Sequence, residues 1–138
     1  MEHGWTRAEV SAMLGVPATT LRTWERAGAG RPSMAGTFQS PREARYSVAD
    51  VLMLQVVAHA HRIGMNGSAL AGVWNSMKRV RSYLTKDWSG IIVTTSAPDA
   101  YLIGSGQIGP EDVDSVVLNL PQGVDVRTVT FVKAPAGT

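Results

Sequence analysis

The chain has 138 residues, of which 44% are hydrophobic, a length and composition typical of one ordinary globular domain or two small ones. It contains no cysteine, which excludes disulfides, thiolate zinc sites, iron–sulfur clusters and cysteine nucleophiles. The formal net charge is +2, and the sequence has no signal-peptide pattern or apolar run long enough for a membrane span, so we expect a soluble, cytoplasmic protein.

Two short helices are predicted near the start of the chain. In "RAEVSAML", residues 7–14, apolar residues recur at helical spacing, with Thr6 as N-cap and Glu9 as its capping-box partner. Gly15 ends this helix, because glycine enters the left-handed conformation at little cost. The second helix is predicted from about Ala18 to Ala27, and the glycine turn between the two helices indicates a helix-turn-helix.

The second helix has two different faces. Leu21, Trp24 and Glu25 share one side. The opposite side carries Thr19, Arg22, Thr23 and Arg26. One face is therefore predicted to be core. The other could be an ordinary solvated charged face, but within a helix-turn-helix we favour a surface that lies against DNA.

The next segment, "RPSMAGTFQSPREARYS" from Arg31 to Ser47, is predicted to form a long hairpin or wing. It contains prolines and a glycine and shows little helical period. Its positive charges are Arg31, Arg42 and Arg45.

Two more helices are predicted after the wing. The third begins at the N-cap Ser47, has Asp50 at its third position and continues to Gly64. Its apolar stripe consists of Val51, Leu54, Val57 and Ile63. The fourth is expected from about Ser68 to Leu84, and its basic residues are concentrated near its end at Lys78, Arg79 and Arg81.

After "TKDWSG" the pattern becomes strand-like. "GIIVTTS" and "AYLIGSG", separated by "APD", predict a β-hairpin, and "VVLNL" and "VDVRTVTFV" predict further strands. Pro110 in "GPEDVDS" indicates a single short helical turn. Because about 50 residues bury little core alone, this part is expected to pack on the helices or on another copy of itself.

The two halves of the chain differ in charge. Up to Lys86 there are 11 basic and five acidic residues, a net charge of +6, whereas from Asp87 onward two basic and six acidic residues give −4. A basic segment suits a polyanion such as nucleic acid, although chance scatter is the alternative explanation. We predict an α+β protein in which residues 1–86 form a winged helix-turn-helix with four helices and a wing hairpin. Residues 87–138 then form a small β-rich module for dimerisation or for binding a ligand or partner.

Residues 5–77 resemble the MerR-type winged helix-turn-helix. The resemblance depends on the order and spacing of "MLGV" at 13–16, "LRTWERAG" at 21–28, "RYSVADVLML" at 45–54 and "IGM" at 63–65. In that family the second helix enters the major groove, and the wing contacts the neighbouring backbone or minor groove.

The resemblance implies a set of DNA-binding residues. They are Thr19, Arg22, Thr23 and Arg26 on the second helix, with Arg31, Arg42, Arg45 and Tyr46 on the wing. The helix arginines would reach base edges or phosphates, and the threonines a phosphate or a thymine methyl group. The wing arginines would mainly contact phosphates, while the Tyr46 ring would pack on the domain, with its hydroxyl near the backbone.

Three features depart from the family pattern. The wing position usually held by arginine is Ala44, so the wing contacts are expected to be weaker or shifted. The position after Arg22, often aromatic, is Thr23, which removes a stacking or backbone contact. Finally, "MKRVRSYLTKDWSG" interrupts the long dimerisation helix that usually follows.

Two groups of residues invite a catalytic or metal-binding interpretation that we do not favour. His59 and His61 are two positions apart on a helix, point in different directions and have no third ligand nearby. Asp112 and Asp114 are interpreted as helix-start and solubility residues rather than catalytic carboxylates. We expect no enzymatic activity, no cofactor and no metal.

The sequence therefore predicts a sequence-specific DNA-binding regulator of bacterial or phage type. It is expected to bind double-stranded DNA as a homodimer or as adjacent copies, with a small-molecule effector left open. One alternative is an excisionase-like architectural factor that bends DNA, favoured by the short chain and the interrupted dimerisation helix. The other is a protein-binding adaptor built on the same scaffold, which the retained arginines disfavour.

Overall fold

The computed structural model describes residues 4–36, 43–96, 99–104 and 108–136. The helices are α1 (Arg7–Leu14), α2 (Ala18–Arg26), α3 (Val48–Arg62), α4 (Ser68–Ser76) and α5 (Val113–Leu118). The strands are β1 (Ser89–Thr95), β2 (Asp99–Ile103) and β3 (Val126–Lys133), and short 3-10 segments cover Lys78–Tyr83 and Pro110–Asp112. The architecture is α+β, as predicted, with the helix-turn-helix first and the sheet after it.

The predicted capping box of α1 is confirmed. The Thr6 side chain accepts a hydrogen bond from the Glu9 amide, and the Glu9 carboxylate accepts one from the Thr6 amide. The helix ends at Gly15, whose φ of 67° is the left-handed conformation that glycine adopts most easily. The chain then turns directly into α2, which forms the predicted helix-turn-helix.

Helix α3 is the central helix of the fold. The predicted N-cap Ser47 is confirmed, because its side chain accepts a hydrogen bond from the Asp50 amide. The Asp50 carboxylate accepts one from the Ser47 amide, which completes a capping box that was not predicted. Most of the helix is buried, so its core surface is wider than the predicted stripe. The stripe was wrong at Ile63, which is 54% exposed. The reason is that α3 ends at Arg62, so Ile63 lies beyond the last helical turn.

The fourth predicted helix is shorter than expected. Helix α4 ends at Ser76, and the chain tightens into the 3-10 segment Lys78–Tyr83. Met77 and Val80 are both buried, and a 3-10 helix aligns side chains that are three positions apart. The tighter winding therefore keeps both side chains in the core, and the prediction of one helix continuing to Leu84 is wrong.

The three strands form an antiparallel sheet in the order β2-β1-β3. The predicted hairpin is confirmed as β1 and β2, and the last predicted strand as β3. The predicted strand "VVLNL" was wrong, because Val113–Leu118 form α5. A short apolar run does not by itself distinguish a strand from a helix, and here the preceding turn at Pro110 starts a helix.

The sheet packs against the helices, as expected for a module too small to bury its own core. One buried cluster extends from Trp5 near the N-terminus to Val132 on β3. The Gln55 side chain of α3 joins the two parts, because its amide donates to the Lys133 carbonyl and accepts from the Lys133 amide, at 2.8 and 3.1 Å. Among the helices of the described residues, none is long and apolar enough to cross a membrane.

Candidate nucleic-acid interface

Helix α2 separates a buried face from an exposed polar face. Leu21 and Trp24 are 1% and 3% exposed, and the Trp24 ring lies 5.5 Å from the His61 ring of α3. The four α2 residues predicted to bind DNA, Thr19, Arg22, Thr23 and Arg26, are all exposed. The sequence produces this separation because its apolar residues recur three positions apart within a polar helix.

The two arginines of α2 are available for a ligand. They line a shallow depression together with Arg7 and Glu25. The Arg7 guanidinium pairs with the Glu25 carboxylate at 2.8 Å, which neutralises the acidic residue in this depression and ties α1 to α2. Within the described part of the chain, Arg22 and Arg26 have no ion-pair partner. Their charge is therefore free to meet a polyanion.

The threonines of α2 flank these arginines with a limited hydrogen-bonding capacity. The Thr23 hydroxyl donates to the Thr19 carbonyl, one helical turn earlier, at 3.0 Å. Because the hydroxyl hydrogen of Thr23 is used in this bond, its oxygen can act towards a ligand only as an acceptor. The Thr23 methyl group is available for apolar contact.

The base of the wing is closed by backbone pairing. Met34 and Arg45 exchange two hydrogen bonds of 2.9 Å, and Trp5 pairs in the same way with Tyr46. Arg45 is half-buried and Ala44 is exposed. Arg42 was predicted to contact DNA and lies outside the described residues.

Tyr46 is fully buried, so its ring packs on the domain as expected. Its hydroxyl has no hydrogen-bond partner among the described residues. Burial raises the pKa of this phenol above its ordinary value of 10.0. Any effect of Tyr46 on DNA binding would therefore act through the wing base rather than through direct contact.

Arg31 lies in a different depression from the α2 arginines. It is exposed and lines this depression with Ser33, Lys78 and Arg81, among other residues. Lys78 is also exposed and, like Arg31, has no ion-pair partner in the described ranges. The predicted DNA-binding residues therefore divide into the α2 face and the base of the wing.

A buried carboxylate at the wing base was not foreseen as part of this region. Asp50 of α3 is 0% exposed. Its Oδ2 atom accepts hydrogen bonds from the Ser33 amide, the Ser33 hydroxyl and the Ser47 amide. Arg81 Nη1 lies 2.7 Å from Oδ1, close enough for an ion pair. The capping position of Asp50 and the basic character of Arg81 were visible in the sequence, but their proximity was not.

Comparison with known families matches the region that contains this interface. The sequence model of a MerR HTH family regulatory protein matches residues 6–76, slightly more than half of the chain. The matched segment extends from the N-cap of α1 to the last residue of α4 and includes α2 and the wing. A search of curated proteins finds no match.

Proposed function

The chain belongs to the MerR HTH family of regulatory proteins, and from this we propose a sequence-specific transcriptional regulator of bacterial or phage origin, acting on double-stranded DNA in the cytoplasm. The observation that carries the proposal is the surface of α2, where Arg22 and Arg26 are exposed without an ion-pair partner in the described residues. Leu21 and Trp24 hold the opposite face of α2 in the core.

The dimensions of α2 suit a major groove. An α-helix with its side chains is about 10–12 Å across, and the major groove of B-DNA is about 12 Å wide, so α2 can lie in the groove. Arg22 and Arg26 are four positions apart and share one side of the helix. We assign Arg22 to a base edge, where a guanidinium can donate two hydrogen bonds to guanine.

The wing supplies contacts of a different kind. Arg45 follows the exposed Ala44 at the wing base, and Arg31 lies where the chain enters the wing. We assign both to phosphates, which fix the position of the protein on the duplex without reading its sequence. Loss of a phosphate contact weakens binding to every sequence, whereas loss of a base contact reduces the preference for the specific sequence over others.

A single α2 helix contacts few base pairs, so we propose that the protein binds as a homodimer or as adjacent copies. Two copies would place two α2 helices on repeated half-sites. An inverted repeat would indicate a two-fold symmetric pair, and a direct repeat would indicate copies arranged head to tail.

The test is a selection of bound duplexes from a randomised pool at moderate salt. Arg22→Ala is the test variant, and Lys86→Ala, which removes an exposed charge outside the family match, is the matched control. We expect the wild-type protein and Lys86→Ala to enrich the same spaced motif and Arg22→Ala to lose it. No enrichment by the wild-type protein would contradict sequence-specific recognition.

One structural observation favours a second candidate, an excisionase-like architectural factor. Helix α4 ends at Ser76, and the chain continues into a 3-10 segment and then strand β1 rather than into a long helix. Such a protein would bend DNA for recombination. Pronounced bending of short direct repeats, measured by energy transfer between duplex ends and without any effect on transcription, would favour this candidate over the regulator.

A further inference from the structure

The two ends of the wing are joined by a side chain from outside the family match. Ser33 lies at the start of the wing and Ser47 at its end, and the family match ends at residue 76. Arg81 Nη2 donates to the Ser33 hydroxyl at 2.9 Å and to the Ser47 hydroxyl at 3.0 Å. One guanidinium nitrogen therefore bridges the base of the wing.

The same guanidinium is held in place by a buried charge. Its Nη1 atom lies 2.7 Å from Asp50 Oδ1, and its side chain is 32% exposed while that of Asp50 is 0% exposed. The Ser33 hydroxyl completes the arrangement, since it accepts from Arg81 and donates to Asp50 Oδ2 at 2.6 Å. A buried carboxylate strongly favours a paired cation, so Asp50 fixes the position from which Arg81 reaches both serines.

The segment that carries Arg81 is anchored to the sheet as well. Arg79 forms an ion pair with Asp99, the first residue of β2. Val80 and Leu84 are buried in the core cluster that also contains Ile92 of β1 and Val132 of β3. The 3-10 segment Lys78–Tyr83 thus contacts the wing base through one arginine and the sheet through another.

We propose that Arg81 is a positioning residue for DNA binding and that the segment Lys78–Tyr83, supported by the C-terminal sheet, braces the base of the wing. Arg45 lies in this base, next to Tyr46 and paired with Met34. By fixing Ser33 and Ser47, Arg81 holds Arg45 where it can reach a phosphate. The inference depends on the proposed function, because its consequence is measured on DNA.

Three variants distinguish an effect of Arg81 on the position of the wing base from an effect on the stability of the whole protein. Ser33→Ala removes the hydroxyl bridge but keeps the Asp50–Arg81 ion pair, so its effect on stability is expected to be small. Arg81→Met removes the guanidinium. Arg81→Lys keeps the charge, but one ammonium cannot reproduce the geometry of a planar guanidinium that reaches Asp50 and both serines. Lys86→Ala remains the charge control.

The first readout is hydrogen exchange at the Met34 and Arg45 amides, whose bonds close the wing. Ser33→Ala and Arg81→Met should each speed exchange at these amides by about tenfold or more. The Val10 amide, bonded to the Thr6 carbonyl in α1, serves as the internal reference and should not change in Ser33→Ala. Unchanged exchange at the Met34 and Arg45 amides in both variants would contradict the proposal that Arg81 holds the base of the wing in place.

The second readout is a double-mutant cycle on binding to the selected DNA. Arg45→Ala should weaken binding by about tenfold in the wild-type background but less than about twofold in the Ser33→Ala or Arg81→Met background. Arg81→Lys should give an intermediate coupling. Full additivity of Arg45→Ala with all three variants would overturn the inference.

An Arg22→Ala measurement distinguishes this failure from failure of the proposed function. If Arg22→Ala loses sequence preference while the Arg45→Ala double-mutant cycle is additive, DNA recognition by α2 is supported and the positioning role of Arg81 is wrong. If the wild-type protein enriches no motif in the selection, the proposed function itself fails.

Discussion

Asp50 of α3 and Arg81 of the 3-10 segment form an ion pair in which the carboxylate is fully buried, with Nη1 2.7 Å from Oδ1. The pair joins a helix inside the family match to a segment beyond its end. Asp50 also accepts hydrogen bonds from the Ser33 and Ser47 amides. The pair therefore lies where the base of the wing, α3 and the 3-10 segment Lys78–Tyr83 meet. It connects the candidate DNA-binding region to the C-terminal half.

Removing one partner of this pair should cost stability. Arg81→Met leaves the buried Asp50 carboxylate without its cation, and we expect the free energy of unfolding to fall by about 3 kcal/mol. In Arg81→Met/Asp50→Asn, where no buried charge remains, the loss should be smaller than in Arg81→Met alone. Urea denaturation of the variants measures these values. If the double variant lost as much free energy of unfolding as Arg81→Met and Asp50→Asn lose together as single variants, this account would be contradicted.

Arg45→Ala should weaken DNA binding by a similar factor on specific and shuffled duplexes, because a phosphate contact carries no sequence information. The plot of log K against log salt concentration should become shallower by about 0.9 for the lost phosphate contact. Fluorescence anisotropy titrations at several salt concentrations provide the slopes, with Lys86→Ala as control. A loss confined to the specific duplex would assign Arg45 to a base instead.

Tyr46→Phe should raise the free energy of unfolding by up to about 1 kcal/mol, because the buried hydroxyl has no partner in the described residues. Since Tyr46 is fully buried, DNA affinity should not change. Denaturation and anisotropy measure both. A loss of more than about 1 kcal/mol would indicate a partner for the hydroxyl.

The same tyrosine predicts an alkaline dependence of stability. Burial raises the pKa of folded Tyr46 above 10.0, so the unfolded chain releases this proton first as pH rises. Stability contributed by the protonated phenol is complete below pH 10 and is lost progressively above it. Tyr46→Phe should show a weaker fall in stability above pH 10 than wild type. Parallel curves for the two proteins would contradict the assignment.

Gly30→Ala should destabilise the start of the wing. Gly30 has a φ of 93°, which side-chain-bearing residues rarely adopt, and an added Cβ would lie 2.5 Å from Leu54 Cδ2. We expect a loss of about 2 kcal/mol or more in the free energy of unfolding. Gly123→Ala is the matched control, because its φ is also positive but no atom lies within 4 Å of the added Cβ. Equal losses in the two variants would show that the Leu54 contact is unimportant.

The sequence was most informative where structure is determined by nearby residues. The capping box at Thr6, the N-cap at Ser47, the turn at Gly15 and the β1–β2 hairpin all depend on residues a few positions apart, and all were predicted. The exposed face of α2 followed from helical spacing in the same way. Its assignment to DNA depended on the family resemblance, which the family match supports.

The parts that were not predicted depend on contacts between distant residues. The apolar run at Val116 suits a strand or a helix equally, and the fold decides between them. The end of α4 at Ser76 is set by burial of Met77 and Val80 against other elements. The Asp50–Arg81 pair joins residues far apart in the sequence, so no local pattern could have revealed it.

The central claim is that Arg22 on α2 reads DNA sequence. The most direct test is the ratio of affinities for the selected duplex and a shuffled duplex, measured for wild type and Arg22→Ala at one salt concentration. We predict that Arg22→Ala lowers this ratio by about fivefold or more, corresponding to the 1–3 kcal/mol of a bidentate base contact. An unchanged ratio, whether or not overall affinity falls, would contradict the claim.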